Sequence, residues 1–446
     1  MEGGDSMIDL CSYAVSVGEK SGADEIEAVW VKDVSMRIEA ELGEISKAAM
    51  TRNEGVRIRV IKDKAVSSVF TYQMDKGSLK KAVEKALTAA AASKKDEHWD
   101  SLPYPGKYPH VKVWDSAMAD ASSEDLMEPV AEMLRLVPDD ISVFLALNEV
   151  YLREKACVNS NGIEHEDRGT LDVVGMAAVG RLKDGVTPAF EKVFFLREYT
   201  PDPQKIAEPI IDEINLFKRR ETASSGRSQV IISPQALEAL LHFTLFTSVS
   251  GENVIRGKSL LAGKEGEKVA SSQFTLHDNG IIPQGTASRE MDDEGVPRQD
   301  TCLIEEGILH GFIWNNYWAK RTGVSSTGNA YYDDQTDELS IRETTMVVTP
   351  GDYTKEELLN VKDGYYVLSF QGAHGSNPES GDFSVVCTPA YRIRNGEIAG
   401  GVVGMMLSDN VFSLLQKIDA VGCDVKVGEL SILPCIRFTD VNVVTK

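Results

Sequence analysis

The stretch Arg219 to Arg227, RRETASSGR, is polar and small and carries no apolar period, and it divides the chain into two parts with different patterning. A chain of 446 residues, 42% hydrophobic and 26% charged, is long enough for two cored domains of about 200 residues each. We therefore expect an α+β protein with an N-terminal α+β domain over 1–222 and a C-terminal, β-rich domain over 223–446.

In the first part, Met7, Ile8, Cys11, Val15 and Gly18 recur at helical spacing, and extended runs follow at Ala28 to Val31 and Val34 to Ile38. Val56, Ile58 and Val60 alternate with Arg57 and Arg59, which reads as a half-buried strand; Lys62-Asp63-Lys64 turns it back into Ala65 to Tyr72. A helix with the face Leu79, Ala82, Val83, Ala86, Leu87 and Ala90, with Ser78 as N-cap, closes an α-β-β-β-α unit. The same order follows the link around Leu102 to Pro109: helix Leu126 to Leu136, strands from Ile141 to Cys157, an Asn161-Gly162 turn, a strand at Leu171 to Val179 and a helix at Gln204 to Phe217. The order allows a degenerate duplication. Pro129 and Pro209 predict that their helices start late or kink.

In the second part, Val230 to Ile232 reads as a buried strand. Ser233-Pro234 is an N-cap followed by proline at N1, opening a helix with the face Leu237, Leu240, Leu241 and Leu245. Beyond it a mixed or antiparallel sheet with few helices is expected. Glu306-Gly307 and Asn395-Gly396 mark two hairpins, and Leu407 to Ile418 reads as one late helix.

The formal charge of −22 favours solubility and repels phosphate backbones, which excludes a nucleic-acid binder. Neither Met1 to Asp9 nor any later stretch has the apolar run of a signal or a membrane span, and six scattered cysteines without a C-x-x-C pair point to a reducing cytoplasm. No phosphate loop, dinucleotide fingerprint or nucleophile elbow occurs, and the seven histidines never reach the spacing of a local metal site. His242, on the Ser233-Pro234 helix, reads as a packed histidine or as a ligand. His374, in the glycine-rich Gln371 to Asn377, lies in a surface loop or where backbone amides could approach a peptide or anion. Asp292-Asp293-Glu294 reads as a solvated turn cap or as oxygen ligands for a cation. Tyr331-Tyr332-Asp333-Asp334 reads as groove lining or as a turn before an edge strand.

Several segments in order carry a family resemblance: Arg256-Gly257-Lys258-Ser259, Met291-Asp292-Asp293-Glu294-Gly295-Val296-Pro297, Leu303 to Phe312 and Ser326-Thr327-Gly328-Asn329-Ala330. Gly55 to Val60 and Arg394 to Ile398 extend it over most of the chain. Together they resemble the TldD/PmbA family, also called the modulator-of-DNA-gyrase family. In that family the TldD-type subunit carries H-E-x-x-x-H, two zinc-binding histidines and a glutamate general base. Here His242 aligns with the first histidine, Phe243 stands in place of the glutamate and Thr247 in place of the second histidine; Cys423 and Cys435 lie near a further cysteine ligand without matching its register.

The departure is similar to PmbA-like, or TldE-like, members. The resemblance thus implies a non-catalytic subunit without a metal or cofactor of its own. Zinc would sit in a TldD-type partner, and the heterodimer would degrade unfolded peptides. Asp293, Glu294, Thr327, Gly328, Asn329 and His374 are candidate residues for a peptide groove or an interface. Two alternatives stand beside this: an autonomous, self-associated hydrolase assembled from His242, His374, Asp293 and Cys435, or a protein-interaction modulator of gyrase or toxin systems.

Overall fold

The computed structural model describes residues 6–333 and 338–445, so Asp334 and the chain start at Met1 to Asp5 lie outside it. It is an α+β fold whose two sheets are built as the two halves of the sequence require. In the first half, α1 (Met7–Lys20) leads into β1 (Glu25–Glu41), β2 (Glu44–Lys62), β3 (Ala65–Thr71) and α2 (Lys76–Ala92). After a short α3 (Ser116–Ala119) come α4 (Ser123–Leu136), β4 (Ile141–Asn159), β5 (Glu164–Leu182), the two-residue β6 (Gly185–Val186), β7 (Phe190–Leu196) and α5 (Pro203–Phe217). These strands form one antiparallel sheet in which β3-β2-β1 is followed by β4-β5, with β7 on the far side of β5. The two αβββα runs are therefore joined side by side through β1 and β4, from Glu27↔Asn159 to Glu41↔Leu145.

Four local expectations are corrected. The runs at Ala28 to Val31 and Val34 to Ile38 are one unbroken strand, because a full ladder to β2 leaves no turn between them. Helix α2 is capped by Asp75, whose carboxylate accepts from Gly77 and Ser78 N–H, so Ser78 lies inside the first turn. Pro129 and Pro209 sit within α4 and α5, and neither helix starts late. Pro129 has no N–H for the carbonyl of Asp125, and the Tyr199 hydroxyl donates to that oxygen instead, at 2.9 Å. Finally, β2 is not half-buried at its end: Arg57 and Arg59 are buried as well as Val56, Ile58 and Val60, because Tyr332 and Glu294 of the C-terminal half pack on their face.

The second half starts with β8 (Gly226–Ile232) and α6 (Pro234–Leu241). Strand β8 lies at the centre of a large mixed sheet, between Ser431–Thr445, antiparallel to it, and Asp363–Val367, parallel to it. The Glu306-Gly307 and Asn395-Gly396 hairpins form, all four residues having positive φ, which suits the right-handed twist of paired strands. The region Leu407 to Ile418 is not one helix. Strand Met405–Asn410 pairs with Asp382–Cys387 and Ser431–Thr445, Asn410 then caps a short helix Val411–Leu415, and Ile418 opens another strand. Its apolar spacing satisfies a helix and this strand-helix-strand path equally, and the sheet partners decide. Among the described residues no helix is long and apolar enough to cross a membrane.

Candidate functional site

Helix α6 begins where its sequence says it should. The Ser233 hydroxyl accepts from Ala236 N–H at 3.2 Å and donates to the Leu368 carbonyl at 2.7 Å, tying the helix start to the sheet. Leu237, Leu240 and Leu241 are fully buried. At His242 the helix widens into a π-helical turn, His242–Phe246. Three hydroxyls stand on backbone carbonyls around it: Thr244 on Leu240 (2.6 Å), Thr247 on His242 (3.1 Å) and Ser248 on Thr244 (3.0 Å).

The turn matters for geometry. In an α-helix, residues five apart point about 140° away from each other. A π turn closes from i to i+5, so positions 242 and 247 come onto one side of the helix. Two ligands for one ion, spaced five apart, need this backbone. In this chain the second of these positions is Thr247.

His242 is oriented as well. Its Nδ1 lies 2.9 Å from Glu343 Oε1, which leaves Nε2 directed elsewhere, as a carboxylate partner does for a ligating histidine. The hydrogen bond to Glu343 raises the His242 pKa against the opposing effect of burial. Burial works against the Glu343 carboxylate, yet the bond to His242 holds it below the usual glutamate range. A raised histidine pKa stabilises the fold fully below the unfolded value of 6.5 and is lost as pH rises through the folded value. A lowered glutamate pKa contributes above 4.5 and is lost as pH falls. The pair therefore contributes most between those two values. In an NMR titration His242 is expected to titrate above 6.5 and to fall markedly in Glu343→Gln; an unmoved midpoint would show that the pair does not form in solution.

The remaining chemistry is absent. Phe243 is 37% exposed and meets His242 edge-on at 4.8 Å between ring centres, with His374 on its other side at 6.5 Å. Among the described residues no group of three or more His, Cys, Asp or Glu side chains could hold a metal ion. A catalytic zinc needs three protein ligands and a base for its water. One imidazole, a phenyl ring and a hydroxyl turned onto a carbonyl do not fit it.

The alternative constellation is not drawn together as one group. His242 and His374 flank Phe243, whereas Cys435 lies on Ser431–Thr445 against Tyr366, 4.0 Å from its hydroxyl, where burial pushes its thiol pKa up. Asp293 belongs to a third place, the seam between the halves. There Arg59 Nη2 lies 3.1 Å from Glu27 and 2.9 Å from Glu294, with side-chain exposures of 5%, 1% and 1%. Lys155 lies 2.7 Å from Asp293 and also donates to the Asp292 carbonyl. Burial works against the Asp293 carboxylate, but Lys155 and Arg153 hold it well below the ordinary range. Asp292 caps the turn, accepting from Glu294 and Val296 N–H at 2.9 Å each, so the expected cap exists but is buried and not solvated.

Thr327, Gly328 and Asn329 also turn inward. Thr327 accepts from Trp314 N–H (2.7 Å), Asn329 donates to Asp278 (2.6 Å), and at Gly328, with φ +75°, a Cβ would lie 2.6 Å from the Pro297 carbonyl. Of the groove candidates, His374 stays exposed on a single 3₁₀ turn, and Asp293 reaches a cavity of about 320 Å³ beside Arg57 and Tyr332. Period-two reading placed Arg57 and Arg59 outward and missed the seam. The signal was the pairing of two family-like segments: Arg59 of Gly55 to Val60 meets Glu294 of Met291 to Pro297.

The two sheets, joined at the Arg59–Glu294 contact, define an α+β protein with a β-rich C-terminal region. The chain matches the PmbA/TldA metallopeptidase C-terminal domain over residues 225–445 and domain 1 of the same group over 26–90. TldE from Thermococcus kodakarensis superimposes with a TM-score of 0.93 at 31% identity, covering 98% of this chain and 100% of that one. A metalloprotease of Methanothermobacter thermautotrophicus is 26% identical over 95% of this chain and 92% of its own length. A putative modulator of DNA gyrase from Thermotoga maritima, 24% identical, shares the fold with a TM-score of 0.91 over 98% of this chain and 100% of its own. The chain belongs to the TldD/PmbA family.

Proposed function

We propose that this chain is the PmbA/TldE-like, non-catalytic subunit of a cytoplasmic, heterodimeric zinc metallopeptidase that degrades unfolded peptides. The observation that carries this reading is the helix at His242: a π turn and the Glu343 contact orient one imidazole, while Phe243 and Thr247 supply neither a base nor a second ligand. The metal and the hydrolytic water belong to a TldD-type partner, and this chain supplies walls and peptide contacts.

The sheet architecture supports a role in holding extended chains. Strand β7 pairs only with β5 among the described residues, so its other edge offers backbone donors and acceptors. A cavity of about 480 Å³ runs from Phe190 to Lys192 on β7 to Pro234 at the start of α6 and to Tyr366. Strand addition at such an edge binds a peptide through its backbone with little sequence preference.

Hydrolysis of an unstructured peptide is the test, run with the purified chain, with a TldD-type subunit and with both. Cleavage that is absent with this chain alone and rises at least tenfold over the TldD-type subunit in the mixture is expected. Cleavage by this chain alone would overturn the assignment.

A further inference from the structure

A third cavity, of about 400 Å³, is lined by strands β1, β2, β4 and β5 of the N-terminal sheet and by no residue of the α6 helix. Its floor is Ser35, Thr51, Tyr151, Arg153 and Gly169, and Arg289 forms its wall from the loop before Met291. The rim at Thr51 and Tyr151 is exposed, so the cavity is reachable.

Arg289 is unusual in its company. Its guanidinium makes no hydrogen bond of 3.5 Å or less among the described residues; Nη1 forms a long ion pair of 3.8 Å with Asp167 Oδ1, and both atoms are buried without a hydrogen bond. The second oxygen of Asp167 is occupied by Glu290 and Met291 N–H. Arg153 and Arg298 press on Arg289 with like charge, and Arg197 stands close behind, bonded only to carbonyls of Thr170, Gly285, Thr286 and Ser288. Burial lowers the Arg289 pKa, with Arg153 and Arg298 adding to it and Asp167 and Asp33 opposing. A concentration of guanidinium charge in a chain of net charge −22 calls for an anion.

Space has been kept for it. Gly169 faces Arg153 across the β4–β5 ladder, and a Cβ there would lie 2.5 Å from Arg289 Nη1. The missing side chain is the slot in which the guanidinium lies. Asp33, paired with Arg153, and Asp167 at the base disfavour a doubly charged phosphate, whereas a single carboxylate fits the planar fork of an arginine.

We propose that the Arg289 cavity binds a carboxylate carried by a peptide lying across the N-terminal sheet, supplied by its C-terminus or by an acidic side chain. The choice of a peptide rests on the function proposed above; the anion site itself does not.

Fluorescence anisotropy with three labelled decapeptides tests it: one without acidic residues and with a free C-terminus, the same peptide amidated, and the amidated peptide with one internal Glu. The intact chain is expected to bind at least one carboxylate-bearing peptide ten times or more tighter than the neutral one, and the better of the two names the source. Arg289→Gln and Gly169→Ala are each expected to abolish that difference. Gly169→Ala keeps every charge and meets first the guanidinium end of Arg289, so it remains informative if Arg289→Gln fails to fold. Benzoate, followed by NMR line broadening, separates the two readings. Benzoate binding that Gly169→Ala weakens, with no peptide bound, would keep the anion site and remove the peptide as its ligand. Equal binding of all three peptides, or no binding of any probe, would overturn the proposal.

Discussion

Phe243→Glu combined with Thr247→His is expected to create a zinc site at His242, with affinity at least a hundredfold above the parent, or about 2.7 kcal/mol. The backbone is already arranged for it. The π turn brings positions 242 and 247 to one side, and Glu343 fixes the His242 ring. Thr247→His supplies the second nitrogen and accounts for most of the gain, whereas Phe243→Glu adds a carboxylate suited to a base and contributes less. Adding Glu343→Gln to the double variant is expected to lower affinity tenfold or more, because the first histidine loses its orienting partner. Competition against a chromophoric chelator measures the parent, the two single variants, the double variant and the triple variant. A double variant no tighter than the parent would show that the turn does not align the two positions.

Arg59→Ala is expected to be the most destabilising single substitution at the seam, by about 3–5 kcal/mol, because it leaves Glu27 and Glu294 buried together without a cation. Glu294→Gln should cost less, since the amide oxygen can still accept from Asn316 N–H, the bond that Glu294 makes at 3.1 Å. Arg52→Ala is the control. Arg52 pairs with Glu54 in the exposed part of the same strand and should change stability by less than about 1 kcal/mol. Urea denaturation of the three variants distinguishes a seam that holds the halves together from an incidental surface pair. Equal, small effects at Arg59 and Arg52 would contradict the burial argument.

How much of this was legible in the sequence depends on the range of the interaction that decides each element. Local chemistry was legible: Ser233-Pro234 starts α6, Glu306-Gly307 and Asn395-Gly396 turn their hairpins, and the αβββα order appears twice. Arg57 and Arg59 failed because alternation reports one covered face, and the second face is covered by residues some 235 positions away. Leu407 to Ile418 failed because its apolar spacing is compatible with both outcomes until the partners Val385 and Val443 are known. At the candidate site the substitutions at Phe243 and Thr247 were visible as letters. The π turn was not: no spacing of residue types marked it, and in the structure Thr244, Thr247 and Ser248 donate to backbone carbonyls around it. Arg289 carried no motif, and its significance comes from Gly169 and Arg153 on strands distant in the chain.

The proposal that this chain holds no catalytic metal of its own is tested most directly by the zinc content of the purified native chain after equilibration with zinc and removal of excess ion. Far less than one zinc per chain is the predicted result; a stoichiometric, tightly held zinc would contradict it and place a metal site on ligands other than His242, Phe243 and Thr247.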